Sequence, residues 1–179
     1  QGLAELRDGL TGSELIETLR DETADQQLLY IYSHAKSVAL DEAGGSDESF
    51  LQLSGESKVS LRDLKLRAPT RRRLRGAPLV FINACESAEM SPLFYDGFLT
   101  YFVDKGARGV IGTEADTPAL LASYWADRFF EEFLRGQKSI GELFRDLRQE
   151  LYELHNNILG LLYALYCDGD VHVSPGIND

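Results

Sequence analysis

Three short runs of uninterrupted apolar residues constrain this chain more than anything else in it. Leu28 to Ser33 (LLYIYS), Leu79 to Asn83 (LVFIN) and Gly109 to Thr113 (GVIGT) stay apolar without alternating, then break into polar or reactive residues. A strand with one wet face alternates; a strand covered on both faces does not. These runs therefore predict buried strands of a parallel sheet with helices over both of its faces.

The segments between the runs supply those helices. Thr11 and Glu14 stand in capping-box spacing ahead of Leu15, Ile16 and Leu19. Ser91-Pro92 opens a stretch with Phe94, Tyr95, Phe98, Tyr101 and Phe102 at helical spacing, closed by Gly106. Thr117-Pro118 opens another, through Leu121, Tyr124, Trp125, Phe129 and Phe133 to Gly136. Ser139 with Glu142 caps a third, through Leu147, Leu151 and Leu154. The order helix, strand, insertion, strand, helix, strand, helix, helix predicts an α/β three-layer sandwich around a mostly parallel central sheet.

Asp41 to Arg75 is the irregular part: an exposed DEAGGSDES loop, a small hairpin from Phe50 to Leu53 and Lys58 to Leu61, and the basic connector RAPTRRRLRG. Its arginines, Arg67, Arg71, Arg72, Arg73 and Arg75, suit a solvated or charge-paired surface, a docking surface for an acidic partner, or a self-cleavage site. A last strand is expected within Leu161 to Val173, broken at Asp168-Gly169-Asp170. Because the chain opens in its first helix, a complete doubly wound sheet would need upstream strands, so residues 1–179 are expected to be a piece of a longer protein.

With 179 residues, 44% of them hydrophobic, the chain suits one domain with a substantial core. No run approaches the roughly 20 apolar residues that span a bilayer, and the first thirty positions do not resemble a signal peptide. A cytoplasmic location without membrane contact is expected. The net charge of −11 opposes phosphate backbones, so a protein or peptide partner is expected rather than nucleic acid. Two cysteines without CxxC or Cys/His spacing indicate free thiols and no zinc site.

Chemistry enters at the polar ends of the first two runs. In open α/β sheets ligands collect at the carboxyl edge of the strands, and here adjacent strands would bring His34 and Cys85 to that edge. An imidazole beside a thiol removes its proton and stabilises the thiolate, which makes a nucleophile and base pair. The backbone N–H groups of Cys85 and Ala35 are the expected oxyanion donors. A lone cysteine after an apolar strand is usually core packing; it is the pairing with a histidine on a like strand that favours a site. Cys167 has no such partner and reads as packing, His155 as complementing a helix C-terminus, and His172 as an exposed strand position.

Read in order, LLYIYSHA, FLQLSG followed by VSLRDL, LVFINACESA, VDKGARGVIGTEADTP and ALYCDGD resemble the CHAT-domain peptidases, bacterial relatives of caspases and separases, over almost the whole chain. The resemblance implies a caspase-like fold and cysteine endopeptidase activity through His34 and Cys85, with no metal or organic cofactor. It also implies that residues 1–179 are the C-terminal part of a longer protein, behind repeat or sensor modules, in regulated bacterial proteolysis, often defence. This chain has His34-Ala35 where family members commonly carry His-Gly, and Cys167 where glycine is usual in the closing turn. In caspase-like enzymes the residue before the cut bond is received by positions just ahead of the nucleophile and by the loop after the next strand, here Asn83, Glu114 and Asp116. Carboxylates there would favour a lysine or arginine side chain, though Glu114 and Asp116 also suit solvated acids ahead of a helix. Two alternatives are a catalytically silent caspase-like interaction domain and a thiol acyl-transferase acting on small substrates.

Overall fold

A computed structural model of the chain describes residues 10–36, 45–84, 92–113, 115 and 117–174. Its strands are β1 (Leu28–Lys36), β2 (Phe50–Gln52), β3 (Lys58–Ser60), β4 (Leu79–Ala84), β5 (Gly109–Thr113) and β6 (Tyr163–Tyr166). Its helices are α1 (Gly12–Arg20), α2 (Leu61–Arg67), α3 (Pro92–Asp104), α4 (Ala119–Phe133) and α5 (Ile140–His155).

The strands form one sheet in the order β3-β2-β1-β4-β5-β6. The expectation of a mostly parallel sheet is corrected: β1, β4 and β5 are parallel, but β1–β2, β2–β3 and β5–β6 pair antiparallel, so the sheet is mixed. The connections account for most of the directions. The five-residue link from β2 to β3 can only reverse direction, whereas the single helix α3 returns the chain to the amino edge and makes β5 parallel to β4. Two successive helices, α4 and α5, carry the chain down and back up, so β6 enters the sheet from the carboxyl edge.

Helices cover both faces, as expected. On one face Leu15, Ile16 and Leu19 of α1, Leu61 and Leu64 of α2, and Phe98, Tyr101 and Phe102 of α3 pack with Ile31, Val80, Ile82 and Val110. On the other, Trp125, Phe129 and Phe133 of α4 and Leu143, Phe144, Leu147 and Leu151 of α5 pack with Leu79, Phe81, Ile111 and Tyr163. Every residue of β4 and β5 is buried, which is why these two runs show no alternation.

Local rules account for the helix ends. Thr11 and Ser139 each close a capping box, with Glu14 and Glu142 respectively. The helix α2 sits inside the stretch read as irregular, and it carries the same signature, Ser60 with Asp63; seven residues were too few for a helical period to show. α3 ends in a Schellman turn, where Gly106 takes φ +100° and the Ala107 N–H reaches the Phe102 carbonyl at 2.9 Å. The basic connector that follows α2 is stitched down rather than loose. Tyr101 donates to the Ala68 carbonyl at 2.7 Å, the fully buried Lys105 ammonium donates to the Pro69 carbonyl at 3.0 Å, and Arg72 pairs with Glu22 at 3.2 Å. Arg67, Arg71, Arg73 and Arg75 are exposed.

The final strand is shorter than expected. Only Tyr163–Tyr166 pairs with β5, and the segment beyond it turns back onto the start of α5, where Val171 and Gly169 carbonyls accept from Ile140 and Gly141. His172 is exposed as expected but lies outside any strand.

Candidate functional site

The strand β1 runs three residues further than its apolar segment. Residues Leu28 to Ser33 pair in parallel with Leu79 to Ala84 of β4, and His34, Ala35 and Lys36 then pair with Gln52, Leu51 and Phe50 of β2. His34 therefore sits inside a strand rather than just past one. It is, however, the first residue of β1 beyond the segment paired with β4. Burial here alternates, with Ser33 and Ala35 buried and His34 and Lys36 exposed, because this part of the sheet is covered on one face only. Along the open face Tyr30 is half-buried, Tyr32 is 50% exposed and His34 is exposed, so helix cover runs out toward the carboxyl edge.

Ala35 pairs with Leu51 in extended backbone and is absent from the residues of positive φ. Alanine in place of glycine thus carries no conformational cost here. Its side chain is buried with Ile31 on the face opposite His34.

Strand β4 brings Ala84 opposite Ser33, and Cys85 is the next residue in the chain. Cys85 itself lies outside the described residues, as do Glu114 and Asp116. Between the two acids, the Ala115 carbonyl accepts from the buried Thr117 hydroxyl at 3.1 Å. At the end of β5, the buried Thr113 hydroxyl donates to the Ala84 carbonyl at 3.3 Å.

Asn83 is fully buried, and its amide is the hub of a polar network on the face that carries His34. Its Nδ2 donates to Tyr30 Oη at 3.0 Å and to the Ala122 carbonyl of α4 at 2.9 Å, while its Oδ1 accepts from Tyr163 Oη at 2.9 Å. Both amide protons are used internally. Aromatic rings wall the network: Trp125 stacks on Tyr163 at 4.5 Å, and Tyr30 meets Phe81 edge-on at 5.3 Å. Asn83 thus bolts the last turn of β4 to β1, β6 and α4. Sequence reasoning missed Tyr30, Tyr163 and Thr113. The available signal was a hydroxyl in the middle or at the end of an apolar strand, since a buried O–H needs a partner.

The remaining candidates fall into place around this centre. Cys167 is half-buried against the α4–α5 core, and burial, with the Asp168 charge second, pushes its thiol up to about 11, so it stays protonated at neutral pH. His155 closes the last turn of α5 and meets the Tyr124 ring edge-on at 5.6 Å. Among the described residues no group of three or more His, Cys, Asp or Glu side chains could hold a metal ion, and no helix is long and apolar enough to cross a membrane.

Comparison with known proteins agrees with the order of the motifs. The CHAT domain matches residues 4–158 of the chain. A probable protease of Vitiosangium sp. (strain GDMCC 1.1324) is 30% identical over 185 residues, covering 97% of this chain. The chain spans only 22% of that relative's length.

Proposed function

The chain belongs to the CHAT domain family, and from that premise we propose that it is a caspase-like cysteine endopeptidase with His34 as general base and Cys85 as nucleophile. The observation that carries this reading is the register of the two central strands. Ser33 stands opposite Ala84 in a parallel pair, so the next residues along the two chains are His34 and Cys85, and both strands run toward the same edge. The related protein's description as a probable protease supports the reading. So does the exposure of Tyr32 and His34 along that face of β1.

The chemistry follows from those two groups. His34 takes the Cys85 proton, and the thiolate adds to the scissile carbonyl. The backbone N–H groups of Cys85 and Ala35 hold the oxyanion. Collapse breaks the C–N bond as the imidazolium gives its proton to the leaving amine, which leaves a thioester. Water, deprotonated by His34, then adds to the thioester; the C–S bond breaks and the thiol is restored. Selection of a lysine or arginine before the cut bond falls to Glu114 and Asp116 by charge-assisted hydrogen bonds. Asn83, whose amide is spent internally, supports that pocket from beneath by holding β4 to α4. In the cell the activity would belong to regulated bacterial proteolysis or defence, under the control of other parts of a longer chain or of a partner.

A peptidyl electrophile tests the dyad. Labelling at Cys85 that vanishes in Cys85→Ala and falls in His34→Ala is expected, whereas an unlabelled Cys85 across a mixed panel of peptides would leave a non-catalytic interaction domain. Glu114→Ala and Asp116→Ala are expected to lower labelling by lysine- and arginine-bearing probes with little change in thermal stability. An unchanged preference in both variants would remove the basic-residue pocket.

A further inference from the structure

The Thr113 hydroxyl occupies a position that the mechanism above does not use. The β4–β5 ladder runs in register from Leu79–Gly109 to Ile82–Gly112. Beyond it, the 1% exposed Thr113 reaches sideways and donates its hydroxyl to the Ala84 carbonyl at 3.3 Å. Ala84 is the last residue before Cys85, and its carbonyl belongs to the peptide unit that supplies the Cys85 N–H. A peptide unit is planar and trans, so its C=O and N–H point in opposite directions. A hydroxyl held on that carbonyl therefore bears on the orientation of the whole peptide unit.

We propose that Thr113 is a positioning residue for the oxyanion donor: through the Ala84 carbonyl it sets the tilt of the Ala84–Cys85 peptide unit and strengthens its N–H as a hydrogen-bond donor. Two physical effects act together. The hydroxyl restricts rotation of the peptide plane where backbone pairing with β5 has ended, and a donor at a carbonyl draws electron density from the amide, which makes its N–H more positive. Asn83 holds the preceding residue by its side chain on one face, so the two clamps immobilise consecutive residues of β4 immediately ahead of the thiol. The inference rests on the proposed peptidase reading, because only an acyl-transfer step needs an oxyanion donor.

The test compares two reagents on Cys85 in the whole chain. Iodoacetamide alkylates a thiolate directly and reports on the dyad alone; a peptidyl acyloxymethyl ketone forms its C–S bond with loss of a carboxylate while its carbonyl oxygen seeks the oxyanion donors. Thr113→Val, which keeps the shape and removes the hydroxyl, is expected to slow the ketone about tenfold, less than the ~100-fold loss of a direct donor, while the iodoacetamide rate stays within about twofold. Thr113→Ser is expected to restore the ketone rate. An unchanged ketone rate in Thr113→Val, an equal fall in both reagents, or a serine variant that fails to recover would each overturn the positioning role, with Cys85-dependent ketone labelling of the unmodified chain still upholding the peptidase reading. No ketone labelling of the unmodified chain by any member of a basic, acidic and apolar panel would bring down that reading and this inference together.

Discussion

Truncation of Asn83 to alanine isolates what the buried hub is worth. The substitution removes three hydrogen bonds of 2.9 to 3.0 Å from a residue with no solvent exposure. At about 1 kcal/mol net for each bond, and about 1 to 2 kcal/mol for the small cavity left inside packed aromatic rings, the loss comes to roughly 4 to 5 kcal/mol. For a domain of this size each kcal/mol moves the melting temperature by about 2 to 4 °C, so a fall of about 10 °C or more is expected in circular-dichroism melting. Asn83→Asp adds a sign test. A carboxyl there faces the Ala122 carbonyl, and burial raises its folded pKa above the unfolded value, so the penalty grows as pH rises from about 4 toward neutrality and shrinks on acidification. A pocket residue that met substrate directly would instead change KM with little effect on melting. An alanine variant within about 2 °C of the unmodified chain, or an aspartate variant whose penalty ignores pH, would refute the assignment of Asn83 as a buried strut.

Two further outcomes follow from contacts away from the site. Glu150 is held below the usual glutamate range, chiefly by two hydrogen bonds from Arg128 at 3.0 Å and also by the Tyr124 hydroxyl at 2.6 Å. A depressed carboxylate stabilises the fold above its unfolded pKa and loses that contribution as pH falls. Glu150→Gln is therefore expected to cost about 1 kcal/mol at neutral pH and to reduce the loss of stability between about pH 5 and pH 3 in urea titrations. In β5, a Cβ added at Gly109 would meet the Cys167 Cβ at 2.2 Å, so Gly109→Ala is expected to lower the melting temperature by several degrees, with partial recovery in Gly109→Ala/Cys167→Gly and none in Gly109→Ala/Cys167→Ala, which keeps the offending carbon.

How far the fold could be read in advance depended on whether the signal was local. The capping boxes of α1 and α5 are four-residue patterns and lie where the sequence puts them. The buried runs of β4 and β5 are equally local, because cover on both faces leaves its mark within a single strand. Strand direction is not local. β6 is antiparallel because two helices rather than one precede it, and that rule was available in the order of elements even though the apolar character of the strands pointed to a parallel sheet. β1 is the mixed case: its first half reads as a buried strand, while His34 to Lys36 alternates and pairs with a hairpin, so the histidine lies within the strand and not after it.

The candidate site divides along the same line. His34 was legible because a histidine closing an apolar run is conspicuous, whereas the Asn83–Tyr163 bond joins residues 80 positions apart and leaves no pattern in either neighbourhood. What connects the two is the height at which helix cover ends. Tyr30 and Asn83 both pack under α4, and the fully buried amide of Asn83 must be satisfied internally, by Tyr30 and the Ala122 carbonyl among others. Two and four residues beyond Tyr30 along β1 the cover is gone, Tyr32 and His34 meet solvent, and a polar group no longer needs an internal partner. The cover ends at different levels in the two strands, since Tyr32 is 50% exposed while its register partner Asn83 is fully buried, yet the polar endings still stand at matching positions, Ser33-His34 in one chain segment and Ala84-Cys85 in the other. The coincidence of two polar endings in the sequence is thus the trace of the in-register parallel pairing of β1 with β4.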